Sequence, residues 1–445
     1  MFIRPDYHHF LFLEDVDFVI NTKDVDALCC VELMKPICEN YTISTFENYN
    51  KRDRPVLGIN LSPPTNTQNS RIICSFSIES EDVYDDSTVV LVDDITTAEY
   101  HRNIIPTWCA FKMLETLNIL ELKHAHLTAM VVYYYYMMNL IDYEEYLIHI
   151  KEIQLLFPEI VLHEHLYGYL FGTSSLYTSL RYTPHLFYYL KWHKTEQIAR
   201  LLCAKAGISL VYSKTNKSDD MSMIYKFVNK AQEHPHNIDK NHLLIHCIKC
   251  NKLRNMDMAL HALVLLDHPW MSKDLIKSIN NTVPKSISLM ESYLEMICNS
   301  FGLVLQQKLL KYLPAREGIT MANCDVAYAF LDHIQLVEDT TIFEQIGPFG
   351  LRWLCSILAN VYEVPIMLIA PYKDSTQMLI TCSDPLSRVK GYYQSGNIYT
   401  IIAAIYEKEP MGYGMYLMEN RQEVMEFKEQ LGMRMRAYAY EEPEE

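Results

Sequence analysis

The stretch LTAMVVYYYYMMNLI, Leu127 to Ile141, carries no charged residue and is apolar around every helical face. A surface helix keeps a polar side, so a run without one predicts a helix buried in the middle of a bundle. Its four consecutive tyrosines, Tyr133 to Tyr136, must then find hydrogen-bond partners or reach an edge of the core. The densest part, Ala129 to Met138, is bounded by Asn139 and Asp142 and is well short of the roughly 20 residues a membrane span needs.

Helical spacing extends outward from this run. Before it, Trp108, Phe111, Leu114 and Leu117 recur at three-residue steps from about Asn103. After it, Thr183 as a cap, Pro184 in the first turn, an apolar line through Phe187, Leu190, Ile198, Leu201 and Leu202, and a closing Gly207 predict one long helix. Further helices are expected over Met221 to Ala231, Asn241 to Leu253, Met256 to Leu266, Ser272 to Asn280 and Ser286 to Leu313.

At both ends the period changes. Strand-like runs occur at His9 to Leu13, Phe18 to Ile20, Val56 to Leu61, Arg71 to Ile78 and Thr88 to Val92. Others follow at Ile366 to Ala370, Met378 to Thr381, Ile398 to Ile405 and Tyr413 to Met418, with helices at Leu351 to Val361 and Arg421 to Leu431. The expected fold is α+β: a predominantly helical central bundle flanked by small N- and C-terminal sheet-containing modules. The boundaries are 1–98 for a strand-rich α/β module, 99–314 for the helical domain, 315–440 for an α+β module and 441–445 for an acidic tail.

Composition narrows the function classes. The chain has 445 residues, 49% hydrophobic and 21% charged, the mix of a folded protein. Only 13 are glycine, and Gly58 is the only one before Gly168, so the first third lacks a Gly-rich phosphate loop. The N-terminus meets Glu14, Asp15 and Asp17 too early for a secretory signal, which predicts a cytoplasmic or nuclear protein, not secreted and not in a membrane. The 12 cysteines follow no framework spacing and are expected to be reduced, mostly buried side chains.

Charge is uneven. Residues 191–311 hold 17 Lys and Arg against 10 Asp and Glu in a chain whose net charge is −16. Lys191, Lys194, Arg200, Lys205, Lys214, Lys217, Lys226 and Lys230 lie among Tyr188, Tyr189, Trp192, Tyr212 and Tyr225, a pattern that suits phosphate neutralisation and base stacking. They are the candidate nucleic-acid-binding residues, with RNA or another polyanion as partner. A separate cluster, His242, His246, Cys247 and Cys250, supplies zinc-type donors. On one helix, His242 and His246 would share a face with Cys250 a turn further on. The same residues serve equally as packing beside Leu243 and Leu244, so no cofactor is required.

Two stretches resemble enzyme motifs. Val89 to Thr97, an apolar strand ending in Asp93-Asp94 and then hydroxyl residues, resembles the ribose-phosphate loop of type I phosphoribosyltransferases. The resemblance implies that the acidic pair holds ribose hydroxyls and that the next loop holds the 5′-phosphate. Ala98-Glu99-Tyr100 depart from it, and Glu99 would face a phosphate. Asn323-Cys324, with Arg352-Trp353 and Tyr362 to Ile366, resembles ovarian-tumour-type cysteine proteases and implies Cys324 as nucleophile. Thr320-Met321-Ala322 and Tyr399 stand where that pattern has Gly-Asp-Gly and a histidine.

The leading expectation is therefore a non-enzymatic assembly or nucleic-acid-associated protein, similar in build to nucleoproteins and capsid-associated proteins of RNA viruses, a structural virion component that uses a basic helical face and self-associates or binds protein partners. A protein-binding regulatory or scaffold module without nucleic acid is the alternative. A cysteine hydrolase or phosphoribosyl-type enzyme is the third reading.

Overall fold

The computed structural model describes residues 15–38, 40–44, 56–59, 70–73, 105–171, 173–189, 194–209, 221–233, 240–250, 253–268, 284–306, 346–362, 366–372, 376–384, 411, 414–427 and 430. It is α+β, with a helical centre between two terminal sheets. The expected strands His9 to Leu13, Thr88 to Val92 and Ile398 to Ile405, and the expected helix Ser272 to Asn280, lie outside the described residues.

Near the N-terminus, β1 (Asp15–Ile20), β2 (Asn40–Ser44), β3 (Val56–Ile59) and β4 (Ser70–Ile73) form a parallel sheet in the order β2-β1-β3-β4. Val16 to Ile20 are all buried, as expected of a parallel strand covered on both faces. Helix α1 (Val25–Met34) follows β1, capped by Asp24, whose carboxylate accepts the Asp26 N–H at 2.9 Å.

The centre is built on α2 (Pro106–Thr116), α3 (Leu122–Met137) and α4 (Tyr143–Leu156). Every residue from Leu127 to Ile141 except Tyr134 is buried. In this glycine-poor chain asparagine ends two helices: Asn118 (φ 56°) and Asn139 (φ 57°) adopt the left-handed conformation after α2 and α3. Then come β5 (Leu162–Leu166), α5 (Leu176–Arg181), α6 (Pro184–Tyr189), α7 (Thr195–Ala206), α8 (Met221–Gln232), α9 (Lys240–Leu243), β6 (Leu244–Cys250), β7 (Leu253–Arg254), α10 (Asn255–Asp267) and α11 (Pro284–Gln306). The C-terminal part comprises α12 (Pro348–Tyr362) and an antiparallel sheet of β8 (Ile366–Pro371), β9 (Met378–Ser383) and β10 (Met415–Met418).

Two sequence expectations are corrected. The helix over Asn241 to Leu253 is instead α9 turning into strand β6, which pairs antiparallel with β5. The β-branched Ile245 and Ile248 and the small Cys247 fit a strand, and a short apolar run does not distinguish the two periods. The long helix from Thr183 to Gly207 is two helices, α6 and α7. The Thr183 hydroxyl accepts from the Tyr169 N–H at 2.9 Å and donates to the Ser179 carbonyl at 2.5 Å, while Gly207 closes α7 at φ 68° as expected.

One apolar core runs from β1 and α1 through α2, α3 and α10 to α12, β8 and β9. A second, smaller core gathers α5 to α9 around Leu180, Leu202, Phe227 and Leu243.

Candidate functional site

In an open parallel sheet, ligands bind beyond the carboxyl ends of the strands, where the chain leaves one strand for opposite sides of the sheet. Here that point is β1, because β2 lies on one side of it and β3 on the other. The turn after β1, Asn21 to Asp24, and the first turn of α1 therefore occupy the ligand position of such a fold.

This position is closed by the protein. Asp26 is buried, its Oδ1 accepts the Thr107 N–H at 2.8 Å, its Oδ2 accepts the Tyr135 hydroxyl at 2.5 Å, and its carbonyl accepts the Thr107 hydroxyl at 2.9 Å. Burial, reinforced by the neighbouring Asp24 carboxylate, pushes the Asp26 carboxyl up to about 7 against the pull of Thr107 and Tyr135. Asn21 donates to the Met411 carbonyl at 2.8 Å, tying the same turn to the C-terminal part. Asp17, also buried, accepts from the Thr42 hydroxyl. Sequence reasoning missed this constellation. Its signal was a lone carboxylate, Asp26, within the apolar run from Val25 to Cys30.

The basic candidates lie on the second core. Lys194, Arg200 and Lys205 are exposed on or beside α7, and Lys226 is exposed on α8 with Lys230 half-buried; Lys191, Lys214 and Lys217 lie outside the described residues. Arg200 pairs with Glu196 at 2.8 Å and Lys230 with Glu233 at 2.5 Å, both within their own helices or just beyond them. The cluster gains a member the sequence reading did not select: Arg181 lies over Tyr182 (5.1 Å) and Tyr177 (6.0 Å), while Arg200 lies over Tyr177 from α7 (5.6 Å). Two guanidinium groups thus approach Tyr177, and the Tyr182 hydroxyl donates to Glu295 at 3.1 Å. The arrangement offers aromatic faces and cations at one edge of α5 and α7.

Among the described residues, the expected metal donors His246, Cys247 and Cys250 are not brought to a point. Because residues 244–250 form a strand, His246 and Cys247 face opposite ways, and Cys250 stands about 10 Å from Cys247 along the strand, on its other face. His246 Nδ1 lies 2.7 Å from the Tyr143 hydroxyl, and the Cys250 thiol reaches the His126 carbonyl at 3.9 Å. Burial pushes the Cys250 thiol far above its ordinary range. His242 belongs to α9, and its side chain lies outside the described residues. Among the described residues no group of three or more His, Cys, Asp or Glu side chains converges to hold a metal ion.

Asp93, Asp94, Asn323 and Cys324 lie outside the described residues. Arg352 and Trp353 are buried in α12, where the Arg352 guanidinium donates to the Met138 carbonyl at 2.8 Å at the end of α3. Ten described cysteines are free thiols, all buried. Among the described residues no helix is long and apolar enough to cross a membrane.

The parallel sheet with its closed switch point, the helical centre and the antiparallel C-terminal sheet define an α+β protein whose like exists among solved structures. Over 95% of this chain and 95% of the other, the fold matches the crystal structure of CDC45 from Entamoeba histolytica, with a TM-score of 0.63 and 13% identity. RecJ from Thermus thermophilus, in complex with Mn2+, aligns over 98% of this chain and 54% of its own, with a TM-score of 0.41 and 10% identity. No protein-family model matches the sequence, and no curated protein does. The expectation of a nucleoprotein-like or capsid-associated virion protein is overturned by the CDC45 match, which accounts for nearly the whole length of both chains.

Proposed function

We propose that this chain is a CDC45-type DNA-replication factor, intracellular, that works by holding DNA and protein partners rather than by cutting a strand. CDC45 is a DNA replication factor, and the whole-length likeness of fold supports carrying that role to this chain. The observation that carries the non-cutting part is Asp26. A carboxylate at the ligand end of the sheet has both oxygens engaged by Thr107 and Tyr135, and burial pushes its carboxyl up to about 7, so it is poorly suited to grip a cation. The face made by Tyr177, Arg181 and Arg200 is the proposed DNA-facing surface, with the exposed Lys194, Lys205 and Lys226 as further proposed phosphate contacts.

The test is fluorescence anisotropy with labelled DNA across a salt series, beside a gel assay for cleavage with Mg2+ or Mn2+. Binding that weakens steeply with salt, falls about tenfold in the Arg181→Ala/Arg200→Ala variant and leaves the DNA uncut is the expected result. Metal-dependent cleavage abolished by Asp26→Asn overturns the non-cutting reading. Binding unaffected by the double variant moves the DNA surface elsewhere.

A further inference from the structure

The turn after β5, Gly168 to Leu170, divides the two cores. Tyr169 and Leu170 pack into the larger one, and Leu166 and Phe171 on either side of them pack into the smaller. Leu170 holds a left-handed backbone (φ 58°) although it is not glycine, a strain that persists only where the surroundings fix it. The fixing comes from the start of α10. The Arg254 guanidinium donates to the carbonyls of Leu166 (3.1 Å) and Gly168 (2.6 Å), and also to both carboxylate oxygens of Asp257 (2.8 and 3.0 Å). Asp257 Oδ1 in turn accepts the Leu170 N–H at 2.7 Å. Both side chains are buried, so the ion pair and the turn stabilise one another away from water.

Helix α5 holds the other side of the turn. The Ser179 hydroxyl donates to the Tyr169 carbonyl at 2.7 Å, the Tyr169 N–H donates to the Thr183 hydroxyl at 2.9 Å, and a Cβ on Gly168 would meet the Ser179 hydroxyl. The same helix carries Tyr177 and Arg181, and Arg200 of α7 lies over Tyr177. Ser174 and Tyr182 also donate to Glu291 and Glu295 of α11, but these carboxylates are half-exposed and exposed, where water competes for the bonds. We infer that Arg254 and Asp257 are positioning residues for the edge of α5 and α7: buried themselves, they set the direction in which Tyr177, Arg181 and Arg200 face DNA. This inference rests on the DNA reading of that edge. A lysine at 254 keeps the buried charge paired but lacks the planar fork that holds two carbonyls and a carboxylate at once.

The test is a double-mutant cycle read by anisotropy with labelled DNA. Arg254→Lys is expected to weaken binding about fivefold in the otherwise unchanged chain and not measurably in the Arg181→Ala/Arg200→Ala variant, where nothing is left to position. Hydrogen exchange is read beside it. Backbone amides over residues 166–189 are expected to exchange about tenfold faster in Arg254→Lys, with those over 127–141 unchanged. An equal effect on binding in both backgrounds, nil included, overturns the proposal, and so does unaltered exchange over 166–189. Should Arg254→Lys not fold, Ser179→Ala, which releases only the α5 side of the turn, goes through the same cycle with the same outcomes. DNA binding indifferent to Arg181→Ala/Arg200→Ala sinks the DNA reading of the edge, and the exchange measurement then decides by itself whether the clamp holds α5.

Discussion

Asp26 and Asp267 lie in distant parts of the chain and do the same mechanical job. Each is a carboxylate, buried at Asp26 and half-buried at Asp267, that reaches the first turn of a helix beginning with proline and takes a tyrosine hydroxyl at 2.5 Å. Asp26 accepts the Thr107 N–H of α2 and the Tyr135 hydroxyl. Asp267 accepts the N–H groups of Phe349 (2.9 Å) and Gly350 (2.8 Å) in α12, and the Tyr293 hydroxyl. Helix N-termini leave N–H groups unsatisfied, and in both cases the cap arrives from another helix instead of from the preceding residue. The difference is in tuning. Asp267 has two N–H donors, and burial pushes it up to about 6; Asp26 has one N–H donor, and burial with Asp24 alongside pushes it up to about 7. Deeper burial and the neighbouring Asp24 carboxylate make the N-terminal joint the less anionic of the two.

The largest expected effect is a difference of sign between Asp26→Asn and Asp267→Asn. Both folded pKa values lie above the unfolded value near 3.8, so each group's contribution is fully present below that value and is lost as pH rises through about 6 for Asp267 and about 7 for Asp26. At about 1.4 kcal/mol for each unit by which the two pKa values differ, Asp26 withdraws roughly 4 kcal/mol by neutral pH. An asparagine at 26 keeps the acceptor for Thr107 and turns its amide toward a hydroxyl able to accept, so Asp26→Asn is expected to raise stability at pH 8 and flatten the slope. At 267 the new amide would point a donor at the Gly350 N–H. Asp267→Asn is therefore expected to lose about 2–3 kcal/mol throughout. Urea unfolding at pH 5 and pH 8 separates the two, and equal losses at both sites would end the comparison.

His261 supplies the opposite slope. It is buried on α10 with neither ring nitrogen hydrogen-bonded, and burial pushes it down to about 4. Its folded pKa lies below the unfolded one, so its contribution is complete above about 6.5 and drains away as pH falls toward 4. His261→Phe is expected to gain roughly 2 kcal/mol over the wild type at pH 5, relative to their difference at pH 8. Parallel unfolding curves for the two proteins would contradict it.

Steric change at the C-terminal joint comes next. A Cβ on Gly350 would meet the Tyr293 hydroxyl, and one on Gly347 would meet the Asp267 carboxyl. Gly350→Ala is expected to cost about 1–3 kcal/mol, with thermal melting as the measurement. No glycine stands in the corresponding turn of α2, where Ile105, Pro106 and Thr107 already carry side chains. The N-terminal joint should accept small substitutions that the C-terminal one rejects.

How far these regions could be read in advance follows from the range of the forces involved. Leu127 to Ile141 was legible because an apolar character on all sides is a local fact, and β8 and β9 were legible from their β-branched runs. Strand β5, Leu-His-Glu-His-Leu, was not, because its pairing partner β6 begins 78 residues after its own last residue and its alternation is half polar. With β6 read as a helix, His242, His246 and Cys250 gained a shared face that a strand does not give them. The basic cluster was legible in composition, but Arg181 entered only once α5 and α7 were folded against each other over Tyr177. Asp26 and Asp267 cap helices that start about 80 residues away, and no local pattern announces a cap in trans.

The smallest expected effect separates the two joints by a single hydroxyl. Tyr135→Phe removes the donor to Asp26 Oδ2, whereas Tyr293→Phe removes one of two donors to Asp267 Oδ2, the Gly350 N–H remaining. A buried acceptor stripped of its partner costs more than one still satisfied, so Tyr135→Phe should lose about 1–2 kcal/mol and Tyr293→Phe about half that. The pH dependence gives the sharper reading. Without the Tyr135 hydroxyl the Asp26 carboxylate loses a bond that favours its charged form, its folded pKa rises above about 7, and the stability lost with rising pH extends to more alkaline solution. Tyr293→Phe should leave a smaller displacement at Asp267, because two backbone donors still hold its charge. Unfolding curves from pH 5 to pH 9 in which Tyr293→Phe moves the slope further than Tyr135→Phe would show that the tyrosines, and not the count of N–H donors, tune the pair.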